Sequence, residues 1–221
     1  MKELLIFGAT TLAKLAHFYA TEHAGYSVKA FVVDDRYKEQ DFFCGCPVLT
    51  WPDAQKLYAP DKVKYFSAIG YKSLRMRADV YSKIKDAGYE LANIICDSTF
   101  IASNVELQDN NIVMPGSVIE PFVRLGVNNI VWSNVTLCHD SRIGDHNFFA
   151  TNVTVGGGVS IGNKNFIGFS STVLQACVIG DETLIGAQSL INKNTINLSR
   201  YYGMPARLID ALDADTGVTV D

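Results

Sequence analysis

The spacing of apolar residues changes completely near residue 100. Before that point, short apolar runs alternate with longer stretches in which apolar and polar residues mix; after it, one apolar residue recurs at every sixth position. These two patterns require different backbone geometries. The sequence therefore predicts two domains, at residues 1–98 and 99–200, followed by a C-terminal tail at residues 201–221.

The first domain is predicted to alternate between strands and helices. Strands are expected at ELLIF (3–7), SVKAFVVDD (27–35), KYFSAIG (64–70) and YELANIIC (89–96), and helices from Thr10 or Thr11 to about Glu22 and over residues 72–87. Either threonine can cap the first helix, and Gly88 ends the second. Alternation of this kind is typical of a small parallel α/β sheet.

Candidate ligand-binding residues follow three of these strands. They are Gly8, Thr10, Thr11 and Leu12 after the first strand, Asp34 and Asp35 after the second, and Gly70 after the third. Parallel sheets bind ligands beyond the carboxyl ends of their strands, where an acidic residue often bonds a ribose or a base edge. A strand-end turn is the alternative role for the two aspartates. The dinucleotide pattern G-x-G-x-x-G is absent, so the sequence does not favour NAD.

The second domain carries an unbroken six-residue repeat. Sixteen apolar anchors are in register: Ile101, Leu107, Val113, Ile119, Leu125, Val131, Leu137, Ile143, Phe149, Val155, Ile161, Ile167, Val173, Ile179, Ile185 and Ile191. The residue after many anchors is glycine, and the fourth residue after an anchor is small, β-branched or asparagine. A fixed period of this kind determines the architecture.

Six residues make one short strand and one corner, so three repeats make a triangular coil of eighteen residues. The anchors are expected to point inward and stack from coil to coil, and the corners to tolerate asparagine or glycine at positive φ. Sixteen anchors supply about five coils. The pattern predicts a parallel β-helix but does not set its hand.

Composition and charge narrow the possible partners. A formal charge of −4 and a pI near 5.5 argue against nucleic acid and anionic membranes. No apolar run reaches the ~20 residues of a membrane span, and the N-terminus is not typical of a signal peptide. Five cysteines form no paired framework, which favours reduced thiols in the cytoplasm.

The hexads, the segment TLCHDSRIGD (136–145), the segment GMPAR (203–207) and the α/β start resemble a known family. It comprises the hexapeptide-repeat sugar acyltransferases related to sialic acid O-acetyltransferases, and within it the nucleotide-aminosugar N-acetyltransferases. The resemblance implies a left-handed β-helix, acetyl-CoA as co-substrate and a nucleotide-linked deoxyaminosugar as acceptor. It also implies a cytoplasmic homotrimer with active sites between neighbouring coils, and a role in lipopolysaccharide O-antigen biosynthesis.

The same resemblance assigns roles to individual residues. It makes His139 the general base and Asp140 the residue that orients it. The nucleotide pocket falls on the strand-end residues already named, and the acyl-CoA channel on Gly157, Gly168, Phe169 and Ala187. Three positions depart from the family pattern: Thr10-Thr11-Leu12 replaces Ser-Gly-His, Phe148 replaces a histidine at the thioester, and Trp132 replaces a polar residue at the sugar amine.

The chemistry of acyl transfer also favours His139. The acceptor must lose a proton as it attacks the thioester, and histidine titrates near neutrality. One coil later the chain has Gly157 and Gly158, which would leave a surface free of side chains for a slender thiol arm. A corner with unusual φ is the alternative role for these glycines. The other histidines, His17, His23 and His146, are interpreted as structural residues.

Several other residues and whole-protein alternatives stay open at this point. Cys138 is expected to lie in the core, and Cys44-Gly45-Cys46 to form a turn, so no metal site is predicted. The cations that either bind CoA phosphates or lie in solvent are Lys164, Lys193, Arg200 and Arg207. The alternatives to N-acetylation are O-acetylation of a sugar hydroxyl, metal-dependent hydration of the γ-carbonic-anhydrase type, and a non-catalytic assembly module.

Overall fold

The computed structural model describes residues 2–220, which form two compact units. The first unit contains residues 2–70 and 76–97, and the second contains residues 71–75 and 98–220. The short segment 71–75 therefore belongs to the second unit, which the sequence pattern does not indicate. The division near residue 98 lies where the spacing of apolar residues changes.

The first unit contains a five-stranded sheet with the order β3-β4-β2-β1-β5. Its strands and helices are β1 (Lys2–Phe7), α1 (Thr11–Glu22), β2 (Tyr26–Val33), β3 (Phe42–Phe43), β4 (Cys46–Thr50), α2 (Trp51–Leu57), β5 (Lys64–Ser67), α3 (Leu74–Asp86) and β6 (Ile94–Ile95). Strands β4, β2, β1 and β5 run parallel, so their carboxyl ends meet at one edge of the sheet. The α/β class predicted from the sequence is confirmed.

Two details of the first unit differ from the prediction. The segment expected to form a strand at residues 89–96 contains only the two-residue strand β6 and one isolated bridge between Leu91 and Tyr65. The hairpin β3–β4 and helix α2 lie in a segment without apolar periodicity, where no element was predicted. Helix α2 begins after Thr50, whose hydroxyl accepts a bond from the Asp53 amide, and this local capping signal replaces periodicity.

The second unit consists of eighteen short strands and is a parallel β-helix. They are β7 (Phe100–Ile101), β8 (Glu106–Leu107), β9 (Ile112–Val113), β10 (Val118–Ile119), β11 (Arg124–Leu125), β12 (Ile130–Val131), β13 (Thr136–Leu137), β14 (Arg142–Ile143), β15 (Phe148–Phe149), β16 (Thr154–Val155), β17 (Ser160–Ile161), β18 (Phe166–Ile167), β19 (Thr172–Val173), β20 (Val178–Ile179), β21 (Thr183–Ile185), β22 (Leu190–Ile191), β23 (Ser199–Gly203) and β24 (Ala206–Ala211). Each two-residue strand ends on an anchor and pairs in parallel with the strand eighteen residues away, as Ile119 does with Leu137.

The walls of the coil are three sheets. The first wall contains β7, β10, β13, β16, β19 and β22, and the second contains β8, β11, β14, β17 and β20. The third contains β9, β12, β15, β18, β21, β23 and β24. Fourteen of the sixteen anchors are buried; Ile101 and Leu107, in the first coil, are half-buried. The predicted register is therefore the packing register of the core, because each inward anchor stacks on its equivalents.

Corners and glycines have separate roles in the coil. The residue with positive φ is the third after an anchor, as at Asn128, Asp140 and Gly158. The glycines directly after anchors are needed for close approach instead: a methyl group on Gly144 would lie 2.7 Å from the carbonyl oxygen of Gly162 in the next coil. Small residues therefore follow the anchors because successive coils stack closely there.

A ladder of buried asparagines stabilises one edge of the coil. Asn111, Asn129 and Asn147 each accept a backbone N–H bond of 2.8 Å from the residue eighteen positions later, and Asn165 does the same for Thr183 at 2.6 Å. Each side chain thereby satisfies a buried amide that the short strands leave unpaired. This explains why asparagine recurs as the fourth residue after an anchor.

The C-terminal residues continue the coil, although the sequence suggests a separate tail at residues 201–221. Strand β23 pairs in parallel with β21, and β24 returns antiparallel to β23. Residues beyond β24 pack on the segment 71–75, where Arg75 bonds Glu182 at 2.8 Å and the carbonyl oxygens of Ala214 and Asp215. Across residues 2–220, no helix is long and apolar enough to cross a bilayer.

Candidate active site

His139 and Asp140 occupy a corner of the coil directly after strand β13. Nδ1 of His139 lies 2.8 Å from Oδ2 of Asp140, and both side chains are more than half exposed, at 60% and 63%. Asp140 has φ of 60° because it is the left-handed residue of this corner. The pair therefore directs Nδ1 to the carboxylate and leaves Nε2 as the nitrogen that can accept a proton.

A second carboxylate lies on the other side of this corner. Oε2 of Glu120, one coil below, accepts a bond of 2.8 Å from the backbone N–H of His139. Glu120 also bonds the side chain of Cys138. Sequence reasoning missed Glu120, although its position eighteen residues before Cys138 would have placed it beneath the candidate base.

The coil above His139 presents no side chain to the imidazole. A methyl group on Gly157 would lie 2.7 Å from both Cε1 and Nε2 of His139, and Gly158 N–H donates to the His139 carbonyl oxygen at 2.9 Å. The corner role that the sequence leaves open applies to Gly158, which has φ of +66°. Gly157 leaves space for the His139 ring, and contact of this surface with a thiol arm stays a prediction.

The charges around His139 change its proton affinity. The hydrogen bond to Asp140 raises the pKa of His139 above its ordinary value, and the charges of Asp140 and Glu120 add to this effect. Burial, followed by the nearby Glu120, raises the pKa of the Cys138 thiol. Cys138 therefore carries its proton at neutral pH, which disfavours it as a nucleophile.

The residues expected to line the CoA channel lie at two different corners. Gly157 is beside His139, after the first wall, whereas Phe169 and Ala187 follow strands β18 and β21 of the third wall. Phe169 is 56% exposed and Ala187, one coil above it, is also exposed. Within one chain, Gly157 therefore lies beside the candidate base, whereas Phe169 and Ala187 follow a different wall of the coil.

Gly168 contacts backbone and has no open space in front of it. A methyl group there would lie 2.6 Å from the Ala187 amide nitrogen and 2.8 Å from the Ile185 carbonyl oxygen. Stacking of the next coil therefore already requires glycine at this position, and the contact of Gly168 with acetyl-CoA stays a prediction.

Phe148 and Trp132 belong to an aromatic cluster on the third wall. The Phe148 ring stacks on Phe166 at 4.9 Å with an interplanar angle of 3°, lies 4.6 Å from Tyr71 and 6.1 Å from Trp132, and is 2% exposed. The Phe148 ring is thus covered by its aromatic neighbours, and its contact with CoA stays a prediction. Trp132 is half-buried in the same cluster.

Two cations line a cavity of about 280 Å³ at the end of the coil. Lys193 and Arg207 contribute the charges, and the other lining residues are Ile191, Asn192, Asn194, Tyr201, Ala206 and Leu208. Both cations are exposed, and both stand among the four that the sequence suggested for CoA phosphates. The structure gives these two a shared concave surface.

In the first unit, the predicted nucleotide residues lie at the carboxyl edge of the sheet. Gly8 has φ of +117°, donates its N–H to the Val32 carbonyl oxygen at 2.7 Å, and has no room for a side chain because the Ala68 carbonyl oxygen would lie 3.1 Å from it. Gly70 is half-buried and has open space on its Cα face. Gly8 and Gly70 therefore present backbone atoms, and no side chains, at this edge of the sheet.

Side chains from the first helix contribute unequally to this edge. Thr10 and Thr11 are exposed, and Thr10 occupies the position before α1 without capping it. The Leu12 side chain is 8% exposed and belongs to the core. The contact of Leu12 with a ligand stays a prediction.

The two strand-end aspartates have different partners. Asp34 forms an ion pair with Lys83 of helix α3, whose ammonium lies 5.4 Å from the Phe7 ring centre and 5.0 Å from that of Trp51. Asp35 is exposed at the start of a 3-10 turn. Lys83 was not predicted at this edge, because nothing in the helical pattern distinguishes it from other surface lysines.

Comparison with known proteins gives matches at the level of structure. No family model matches the sequence, and no curated protein does. PerB from Caulobacter crescentus, solved in complex with CoA and GDP-perosamine, is 26% identical, with 95% of this chain and 98% of that chain covered and a TM-score of 0.85. The acetyltransferase domain of PglB from Neisseria gonorrhoeae is 20% identical, with 95% and 100% covered and a TM-score of 0.85.

A third matching structure is that of an N-acetyltransferase variant. A histidine-to-asparagine variant of perosamine N-acetyltransferase from Caulobacter crescentus, in complex with CoA and GDP-perosamine, is 24% identical with a TM-score of 0.86, covering 95% of this chain and 98% of that one. These comparisons confirm the resemblance to hexapeptide-repeat sugar acyltransferases and the left-handed β-helix after an α/β domain. The enzyme class predicted from the sequence is the class of these neighbours.

Proposed function

We propose that this protein transfers the acetyl group of acetyl-CoA to the amino group of a nucleotide-linked deoxyaminosugar, with His139 as general base. One observation carries the proposal: the His139 ring is held by Asp140 beneath the bare backbone of Gly157, in a chain of which 95% matches the structure of a perosamine N-acetyltransferase. An acid–histidine pair beside a surface without side chains suits a thioester and an incoming amine.

His139 takes up one proton and returns it in the course of the reaction. The sugar nitrogen attacks the thioester carbonyl carbon, and Nε2 of His139 accepts the proton that the nitrogen loses. The tetrahedral intermediate then expels the CoA thiolate as the amide forms, and the thiolate takes the proton from the His139 imidazolium, which restores the neutral base. Asp140 stabilises the imidazolium through Nδ1–H, and backbone N–H groups are the donors proposed for the oxyanion.

For acetyl-CoA we propose a path along the coil that ends at Gly157. The neighbour PerB binds CoA in its crystal structure, which supports the same co-substrate here. Lys193 and Arg207, with their shared cavity, supply positive charge of the kind that phosphate groups require. Phe169 and Ala187 provide exposed, mainly apolar contacts for the pantetheine arm.

For the nucleotide we propose the carboxyl edge of the sheet in the first unit. Gly8, Thr10, Thr11, the Leu12 backbone and Gly70 form its surface, and Asp35 is the carboxylate for a ribose or base edge. Asp34 is already paired with Lys83, so it is better suited to holding that cation than to binding a hydroxyl. We place Trp132 near the acceptor sugar by resemblance to the family.

We also propose a homotrimer. The candidate base and Gly157 lie at one corner of the coil, and Phe169 and Ala187 lie at another. Side-by-side packing of three coils would bring one corner of each chain against a different corner of its neighbour, completing the channel. Native mass spectrometry would test the subunit number directly.

From the proposed substrates we also infer a cytoplasmic location and a role in O-antigen biosynthesis. The free cysteines, Cys44, Cys46, Cys96, Cys138 and Cys177, are consistent with the reducing cytoplasm, where acetyl-CoA is made. Sugars of this class are precursors of surface polysaccharides, which supports a role in O-antigen biosynthesis. Fractionation of cells that express the protein would test the location.

A coupled assay tests the reaction itself. Purified protein is mixed with acetyl-CoA and a panel of UDP-, GDP- and dTDP-linked aminosugars, and released CoA is detected with a thiol reagent. Mass spectrometry should find one added acetyl group in the product, and hydroxylamine should leave it intact because an amide resists cleavage. A hydroxylamine-labile product would establish O-acetylation instead. If no acceptor in the panel gave more CoA release than the His139→Ala variant gives, acyl transfer would be refuted and a non-catalytic assembly module would be favoured.

A further inference from the structure

The carboxylate of Glu120 lies beneath the candidate base and bonds the backbone of His139, not its ring. Oε2 of Glu120 is 2.8 Å from the His139 amide nitrogen, and the same side chain bonds Cys138. Glu120 is half-buried, and its own N–H donates to the Leu137 carbonyl oxygen at 2.9 Å. Both ends of this residue are therefore anchored to the strand that leads to His139.

The geometry of this contact differs from the ladders elsewhere in the coil. In the asparagine ladder, a side chain serves a backbone amide eighteen residues away, at the equivalent place in the next coil. Glu120 serves an amide nineteen residues away, one place beyond its own equivalent, Cys138. The longer glutamate side chain thus reaches across the corner, where an asparagine in the ladder register would not.

The backbone of this corner is bonded to both neighbouring coils. Asp140 is the left-handed residue of the corner, with φ of 60°. Its N–H donates to the Pro121 carbonyl oxygen at 3.2 Å, and the His139 carbonyl oxygen accepts from Gly158 at 2.9 Å. With Glu120 on the His139 amide, both backbone polar groups of His139 and the N–H of Asp140 are bonded to an adjacent coil.

We propose that Glu120 is a positioning residue of the acetyl transfer, holding the His139–Asp140 corner so that the imidazole lies beneath Gly157. The expected effect of Glu120 on kcat rests on the proposed function. The contact between Glu120 and the His139 corner does not depend on which substrate is bound. A charge-assisted bond to a backbone amide is among the stronger hydrogen bonds in proteins. Its loss would let the ring leave the geometry that the reaction needs.

The test uses two substitutions that separate the bond from the charge. Glu120→Ala removes both, and Glu120→Gln keeps an oxygen that accepts the His139 N–H. We expect Glu120→Ala to lower kcat by between about 10- and 100-fold with little change in KM, because misplacement of a catalytic group acts on the chemical step. Glu120→Gln should restore most of kcat.

The pH profile provides a readout that loss of packing alone would not move. The groups with charge or protons near the His139 ring are Asp140, Glu120 and the Cys138 thiol, while the coil above offers only Gly157 and Gly158. Removing the Glu120 charge should lower the pKa of His139, so the acidic limb of kcat/KM should move to lower pH in Glu120→Gln. Glu106→Ala is the matched control, because Glu106 pairs with Arg124 at 3.1 Å on the second wall.

An NMR titration of His139 Cε1, assigned with His139→Ala, separates this inference from the proposed function. The titration needs no substrate, so it measures the effect of Glu120 on the pKa of His139 even if no acceptor sugar is found. A lowered pKa in Glu120→Gln, with the Glu106→Ala value unchanged, supports the inference. Wild-type kcat in Glu120→Ala, or an unchanged His139 titration in Glu120→Gln, overturns it. If Glu120→Ala does not fold, the titration of Glu120→Gln alone decides.

Discussion

Gly157 and His139 form a pair in which one residue provides the space that the other occupies. A Cβ atom on Gly157 would lie 2.7 Å from Nε2 and Cε1 of the His139 ring, closer than such atoms can pack. The reactive side of the imidazole is thus set against backbone, with the Asp140 carboxylate on Nδ1. This relationship makes a steric prediction that is independent of charge.

We expect Gly157→Ala to displace the His139 ring and lower kcat by about 100-fold, since small displacements of a catalytic group are costly. Gly158→Ala is the matched control. Nothing lies within 4 Å of the Gly158 Cα face, and Ala176, one coil above, already holds an alanine at φ of 59°. Gly158→Ala should keep its turnover and lose only some thermal stability. Equal losses of kcat in the two variants would contradict the steric argument.

Replacing the base should abolish most of the activity while leaving the fold intact. His139→Ala is expected to lower kcat by roughly 10²–10⁴-fold, the usual contribution of a general base. The side chain is 60% exposed, so circular dichroism and the thermal midpoint should stay at wild-type values. An active His139→Ala enzyme with an acceptor amine at neutral pH would disprove the assignment.

Asp140→Asn should cost less than His139→Ala and should change the pH dependence. The hydrogen bond and charge of Asp140 raise the pKa of His139, so their loss lowers it and stabilises the neutral ring. Activity depends on the neutral form, so the acidic limb of kcat/KM should move to lower pH while the plateau falls. A limb that moves to higher pH would show that another group controls the profile.

The anchor register can be tested with two neighbouring residues. Ile179 is 1% exposed and Val178 beside it is 45% exposed. Ile179→Asp should unfold the coil, because an unpaired carboxylate in a dry core costs several kcal/mol. Val178→Asp should stay folded, with any change confined to subunit association. A cooperative thermal transition in Ile179→Asp at the wild-type midpoint would overturn the register.

We propose that the first unit binds the nucleotide sugar and the second binds acetyl-CoA, so a substitution in one unit should change KM for only one of the two substrates. Asp35→Ala should raise KM for the nucleotide sugar roughly 10-fold and leave KM for acetyl-CoA unchanged, as expected for loss of a charged hydrogen bond. Ala187→Trp should do the converse. Gly168 is unsuitable for this purpose, because any side chain there meets the backbone of the next coil. If Asp35→Ala weakened acetyl-CoA alone, the two roles would be reversed.

The coil and its core could be predicted from the amino-acid pattern alone. The six-residue period specifies which residue of each hexad points inward, because a strand and a corner of constant length repeat the same geometry, and fourteen anchors are buried as that register requires. It also placed His139 beside an acid and beneath Gly157, because residues eighteen apart stack in such a coil. Local sequence patterns are enough to predict a contact when the two residues that meet in space are always the same number of positions apart in the chain.

Contacts that do not follow a fixed sequence spacing became visible in the folded structure. Glu120 reaches nineteen residues instead of eighteen, Lys83 of a helix pairs with Asp34 of a strand, and Tyr71 covers Phe148 across 77 positions of the chain. The strand predicted at residues 89–96 forms little pairing, since strand pairing depends on neighbours that local apolar spacing does not specify. These contacts arise from packing between elements, and packing is a property of the folded chain.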